Sequence, residues 1–80
     1  MRSVLVRVFD AGGRPVSGAR VVVWVYQFLA GGAVPEQYTN SSGEAEFNLN
    51  VDASAEISIR VNGTDKILRG AIQGSYRVQV

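Results

Sequence analysis

The 80-residue chain contains no histidine and no cysteine. That removes the usual general base, the commonest metal ligand, thiolate chemistry and any serine triad that relies on imidazole. Carboxylates remain. Glu44 and Glu46 lie two apart in "GEAEFNLN", and on one face of a strand their side chains would be neighbours at roughly 6–7 Å, a separation a glycosidase pair uses. The same alternation describes a solvated strand face, and neither glutamate sits in a loop of pocket-forming character. Asp10, Asp52 and Asp65 fall in separate turns, where aspartate bonds its own backbone, and no loop gathers oxygens at calcium-ligand spacing. "AGGRP" and "AGGA" lack the Gly-x-x-x-x-Gly-Lys-Ser/Thr pattern of a phosphate loop and read as turns. Glycosylation acceptor patterns begin at Asn40 and Asn62, and both also make ordinary turns. These residues lead us to expect no enzyme, no cofactor and no metal site.

The elements that carry these groups follow period two throughout, and no segment holds helical spacing. Ser3 to Asp10 alternates Val4, Val6 and Val8 with Leu5, Arg7 and Phe9; "DAGGRPV" then turns the chain. A long strand runs from about Ala19 to Leu29 and is stopped by "AGGAVP". A short strand near Glu36 to Thr39 leads through "NSSG" into "EAEFNLN", where Ala45, Phe47 and Leu49 share a face. "AEISIRV" alternates most cleanly, and the Asn62-Gly63 pair after it signals a hairpin into "KILRGAI". Gly70, inside that strand, marks a bulge or a close backbone approach. Gln73 and Gly74 turn the chain into "SYRVQV", with Tyr76, Val78 and Val80 inward. Seven short strands with a turn about every ten residues are the pattern of a β-sandwich.

A chain of this length reads as one domain, residues 1–80, burying only roughly 60% of its unfolded surface. Without thiols its stability comes from packing alone. A net charge of +1 gives no field to gather nucleic acid or anionic lipid. The longest apolar run, Val21 to Ala30 with Gln27 inside it, is far short of the roughly 18–20 residues needed to span a bilayer. The opening "MRSVLVRVFD" alternates and has no signal-peptide core. The chain is expected to be either cytoplasmic or a module excised from an exported protein.

The order of residues resembles the shared plan of transthyretin-like and carboxypeptidase regulatory-like domains, which are immunoglobulin-like sandwiches. The positions that carry the resemblance are Asp10, Gly13, Pro15, Val16, Gly18 and Ala19 around the first turn, Thr39, Asn40 and Gly43 around a later one, and Phe47. The resemblance implies an all-β fold, a seven-stranded antiparallel immunoglobulin-like (transthyretin-like) β-sandwich, and modules of that kind mostly serve as non-catalytic spacers, adhesion units or assembly parts. Two enzyme relatives do not fit. The 5-hydroxyisourate hydrolases use histidines and a Tyr-Arg-Gly-Ser ending, whereas this chain has "GSYR" at Gly74 to Arg77, and the intradiol dioxygenases need histidine beside tyrosine at iron.

In the register the resemblance implies, Ala19, Val21, Val23 and Val25 point inward and Arg20, Val22, Trp24, Tyr26 and Phe28 outward. The first strand then sends Leu5 and Phe9 outward, and in immunoglobulin-like sandwiches these two strands pair. Leu5, Phe9, Val22, Trp24, Tyr26 and Phe28 are therefore the candidate interaction residues, forming one apolar patch of the kind that marks a contact surface. Three alternatives stand beside this: a one-residue slip that turns Trp24 into the core, a loop Ala30 to Pro35 folded over the stripe, and arginine stems from Arg7 and Arg60 laid across it. The expected function is a non-catalytic structural or protein-interaction module in a larger or surface-exposed protein or assembly. It would use this face, or the edge of "SYRVQV", toward another domain or another copy. A carbohydrate-binding module stacking sugars on Trp24, Tyr26 and Tyr38 is the alternative.

Overall fold

The computed structural model of the chain describes residues 2–27, 30–52 and 54–80. Its strands are β1 (Arg2–Phe9), β2 (Arg20–Gln27), β3 (Ala30–Ala33), β4 (Gln37–Tyr38), β5 (Glu44–Leu49), β6 (Glu56–Val61), β7 (Thr64–Ala71) and β8 (Ser75–Gln79), with no helix among the described residues. They form two sheets, one ordered β5-β1-β8 and the other β3-β2-β6-β7 with β4 also on β2. The protein is an all-β, two-sheet sandwich.

β3 lies along residues 24–27 of β2 and β4 along residues 20–21, so the two are halves of one edge lane. Pro35, which has no N–H to give a ladder, sits at the break between them. Seven lanes thus carry eight segments. The expected stop at "AGGAVP" is corrected: Ala30–Ala33 returns beside β2. Phe28 and Leu29 lie outside the described residues.

The expectation of antiparallel pairing throughout is also corrected, because β8 runs parallel to β1. A parallel neighbour requires a long connection, and here everything between β1 and β8 supplies it. The residues after β7 carry the chain from one sheet to the other, so β8 arrives on the free side of β1 instead of forming a hairpin with β7. The Tyr76 hydroxyl fixes this crossing, accepting from the Gln73 N–H at 2.9 Å and donating to the Ala71 carbonyl at 3.4 Å. Tyr76 and Val78 face inward, but Val80, one residue past the end of β8, is exposed although its N–H still bonds the Phe9 carbonyl at 2.8 Å.

Between the sheets lie Val4, Val6 and Val8 of β1, Val21, Val23 and Val25 of β2, Ala45, Phe47 and Leu49 of β5, and Ile57, Ile59 and Val61 of β6. β-Branched side chains predominate, as suits a pleated, half-buried surface. The β6–β7 hairpin turns on Asn62 (φ 51°) and Gly63 (φ 83°), the two positive angles of a type I′ turn. β7 spans eight residues against six in β6, and the register shifts twice between them. Gly70 sits beside one of these shifts and makes no close approach.

The β1–β2 connection crosses between sheets. Asp10 Oδ1 accepts the N–H groups of Gly12 and Arg14, Phe9 and Pro15 bridge, and the Val16 N–H bonds the Val8 carbonyl at 2.9 Å. Buried Thr39 then ties down the exit, its hydroxyl donating to the Val16 carbonyl at 2.6 Å and accepting from the Ala19 N–H at 2.9 Å. Thr39→Val keeps the shape but leaves that N–H unpaired beside the core. We expect it to cost about 1–3 kcal/mol, read as a lowered urea midpoint with unchanged slope; an unshifted midpoint contradicts the tether.

Candidate interaction face

β2 is held between β4 and β6, and its inward positions are all valine, so alternation sends Arg20, Val22, Trp24 and Tyr26 to the outer face of the larger sheet. Trp24 is 46% exposed. The slip that would bury the indole does not occur, because Val21, Val23 and Val25 fill the interior.

Opposite β2, β6 presents Arg60 to Val22, Ser58 to Trp24 and Glu56 to Tyr26. The small Ser58 side chain leaves a hollow beside the indole. The two register shifts on the β7 side add twist and curl, and Leu68, 77% exposed, stands on the far wall. The resulting groove of about 410 Å³ runs between Trp24 and Leu68 over Ser58. A second hollow of about 670 Å³ adjoins it, sharing Trp24, Tyr26 and Arg69 and lined further by Gln27, Gly32, Ser54 and Glu56. Trp24 lines both grooves.

Ion pairs close the groove ends, Arg60 to Asp65 at 2.9 Å and Arg69 to Glu56 at 2.9 Å. Both are exposed, so each contributes about 0–1 kcal/mol to stability. Arg69 also lies 4.5 Å from the centre of the Tyr26 ring, and the Tyr26 hydroxyl hydrogen-bonds Ser58 Oγ at 3.1 Å. The aromatic rings of Trp24 and Tyr26 are tilted at 46° with centres 6.5 Å apart. Tyr26 is thereby pinned and partly covered, whereas Trp24 stays open. On this face the guanidinium over a ring is that of Arg69 on Tyr26, and the alternative of Arg7 and Arg60 stems over the indole does not occur, because Arg60 is turned to Asp65 and Arg7 pairs with Glu44 on the other sheet. Nor does the segment from Ala30 cover the stripe, since it is spent as β3.

Leu5 and Phe9 do not join this face. β1 and β2 belong to different sheets, so the expected pairing of the two strands is corrected and the apolar patch splits. The crossing connection just described is the cause. Leu5 and Phe9 are half-buried on the outer face of the smaller sheet, where Arg77 lies 4.1 Å from the Phe9 ring centre. Arg7 there pairs with Glu44 at 3.2 Å, which accounts for one of the two spaced carboxylates as a cross-strand partner. Phe28, the remaining candidate, lies outside the described residues.

Tyr38, 59% exposed, is directly opposite Arg20 and shares the outer face with Trp24. Arg20 leans to Glu36 at 3.6 Å. The residues that sequence reasoning missed are Ser58, Leu68 and Arg69. The Asn62-Gly63 hairpin signalled that their strands adjoin and Gly70 signalled a bulge beside them, but neither says which side chains the shift raises. No family model matches the chain, and no curated protein matches it.

Proposed function

We propose that the protein is a non-catalytic, immunoglobulin-like module of the transthyretin-like or carboxypeptidase regulatory-like kind that docks another protein through the outer face of its larger sheet. The observation that carries this reading is the open Trp24 at the centre of that face, walled by Leu68 and framed by charged pairs. A central aromatic anchor within a polar rim is the usual anatomy of a contact surface. The family assignment draws support from the way Asp10, Val16, Ala19, Thr39 and Gly43 meet in one hydrogen-bonded and packed crossing. The regular, unpaired side of β8 is a second surface open to strand addition.

Replacing Trp24 and Tyr26 together by serine tests the docking face. The expected result is a protein that still unfolds cooperatively, within about 2 kcal/mol of the original, but has lost its association in sedimentation. Collapse of folding would mean that the two rings are structural.

A carbohydrate reading is favoured by one feature, the flat indole lining two hollows whose walls carry the charged side chains of Arg60, Asp65, Arg69 and Glu56. Titration of the Trp24 fluorescence with oligosaccharides separates the two. A saturable change supports sugar stacking, and none is expected under protein docking.

A further inference from the structure

Resting on the reading of the outer face as a docking surface, we infer that its occupant is a second copy of this chain. The two copies pack face to face about a two-fold axis that crosses the strands through Trp24 and Ser58. The charge pattern selects this arrangement. Three cross-strand rows make up the face. Val22 is opposite Arg60 and Arg60 opposite Asp65, so the first row reads apolar, positive, negative. Trp24 and Ser58 form the middle row, where the register shift sets Leu68 and Arg69 together against Ser58, and the Arg69 guanidinium reaches out of the row to Glu56. Tyr26 is opposite Glu56, and Arg69, bonded to Glu56, lies over the Tyr26 ring, so the third row carries its negative charge on β6 where the first carries its positive one. The signs invert from one flank of the middle row to the other.

A two-fold along the middle row lays each flank on the other. Arg60 meets Glu56 of the second copy, Val22 meets the Tyr26 ring with the Arg69 guanidinium laid on it, and Trp24 meets its own counterpart at the centre. An axis running along β6 instead opposes Arg60 to Arg60 and Glu56 to Glu56, the like-charge juxtaposition by which interfaces reject a partner. The interface is isologous, and so closes as a dimer instead of growing into a fibre. Each charge already has one partner within its own copy, but a carboxylate has about four acceptor sites and a guanidinium five donors. The second copy therefore extends the pairs into networks without breaking them.

The test reverses each ion pair while keeping it intact and leaving net charge unchanged. In sedimentation equilibrium the original protein is expected to dimerise reversibly, more weakly at high salt. Arg60→Glu with Asp65→Arg opposes like charges at both flanks and should weaken the dimer by about 100-fold or more. Glu56→Arg with Arg69→Glu should do the same. Mixing those two variants should give a heterodimer, and all four substitutions in one chain should restore a homodimer. Far-ultraviolet circular dichroism and urea midpoints close to those of the original protein establish that every variant is folded. An original protein still monomeric at about 1 mM, where any association weaker than −4.1 kcal/mol would go unseen, overturns the inference. A dimer indifferent to both reversals but lost with Trp24→Ser overturns the two-fold arrangement and leaves the docking face standing. A dimer that survives Trp24→Ser removes the docking face as well.

Discussion

Phe47→Ala is expected to lower the unfolding free energy by about 3–5 kcal/mol. Phe47 is 2% exposed and stands opposite Val4 on the neighbouring strand. The core around it is built mostly of valine, isoleucine and alanine. Valine and isoleucine are stiff at χ1 and alanine is short, so the walls collapse poorly into the space a phenyl ring vacates. A domain of 80 residues at roughly 0.05–0.15 kcal/mol per residue has about 4–12 kcal/mol in all. The variant should therefore sit near the edge of folding at 25 °C. Denaturant unfolding followed by circular dichroism measures it, with Phe47→Leu as a control expected to cost under about 1.5 kcal/mol. A Phe47→Ala midpoint equal to the original would mean that the core does not close on this ring.

Gly43→Ala is expected to cost on the order of 3 kcal/mol for a single methyl group. The backbone there has φ 75°, in the left-handed region, and a Cβ would stand 2.7 Å from the Val8 carbonyl oxygen and 2.9 Å from Pro15 Cβ. The carbonyl has no rotamer through which to retreat. It belongs to β1, where the Val8 N–H also donates to the Gly43 carbonyl at 2.8 Å. The same turn is held by Asn40, whose Oδ1 accepts the N–H groups of Ser42 and Glu44 at 2.9 and 3.1 Å. An alanine thus forces apart the crossing loop and the β5 entry together. Gly13→Ala isolates the backbone part of the cost, because that glycine has φ 81° and nothing within 4 Å of the added methyl. It should cost about 1 kcal/mol. Equal urea midpoints for the two variants would contradict the close approach at Gly43.

The inward and outward sides of each strand were legible in the sequence because burial repeats with the pleat. The valines of β1 and β2, the Ala45-Phe47-Leu49 face and the Ile57-Ile59-Val61 face are all where alternation puts them. The Asn62-Gly63 hairpin was legible for a different reason, since few other residue pairs tolerate two positive φ angles in succession. Sheet membership was not legible. Alternation says which side of a strand is buried but not which strand lies beside it, so Leu5 and Phe9 were grouped with Trp24 although they belong to the opposite layer. The parallel pairing of β8 is hidden for the same reason. "AGGAVP" reads as a turn because its strand half, Ala30–Ala33, consists of small residues stabilised by the β2 ladder and not by their own propensity. Gly70 marked the bulge between β6 and β7, but the groove over Ser58 depends on which residues that shift sets side by side, and alternation alone does not say.

Trp24 is the sole tryptophan of the chain, so acrylamide quenching of its fluorescence across a protein dilution series reads the outer face without interference. The prediction is an indole open to quencher in dilute protein and shielded as concentration rises and two faces meet. An indole already sealed in the dilute protein, or one equally accessible at every concentration, would contradict a docking surface occupied by a second copy.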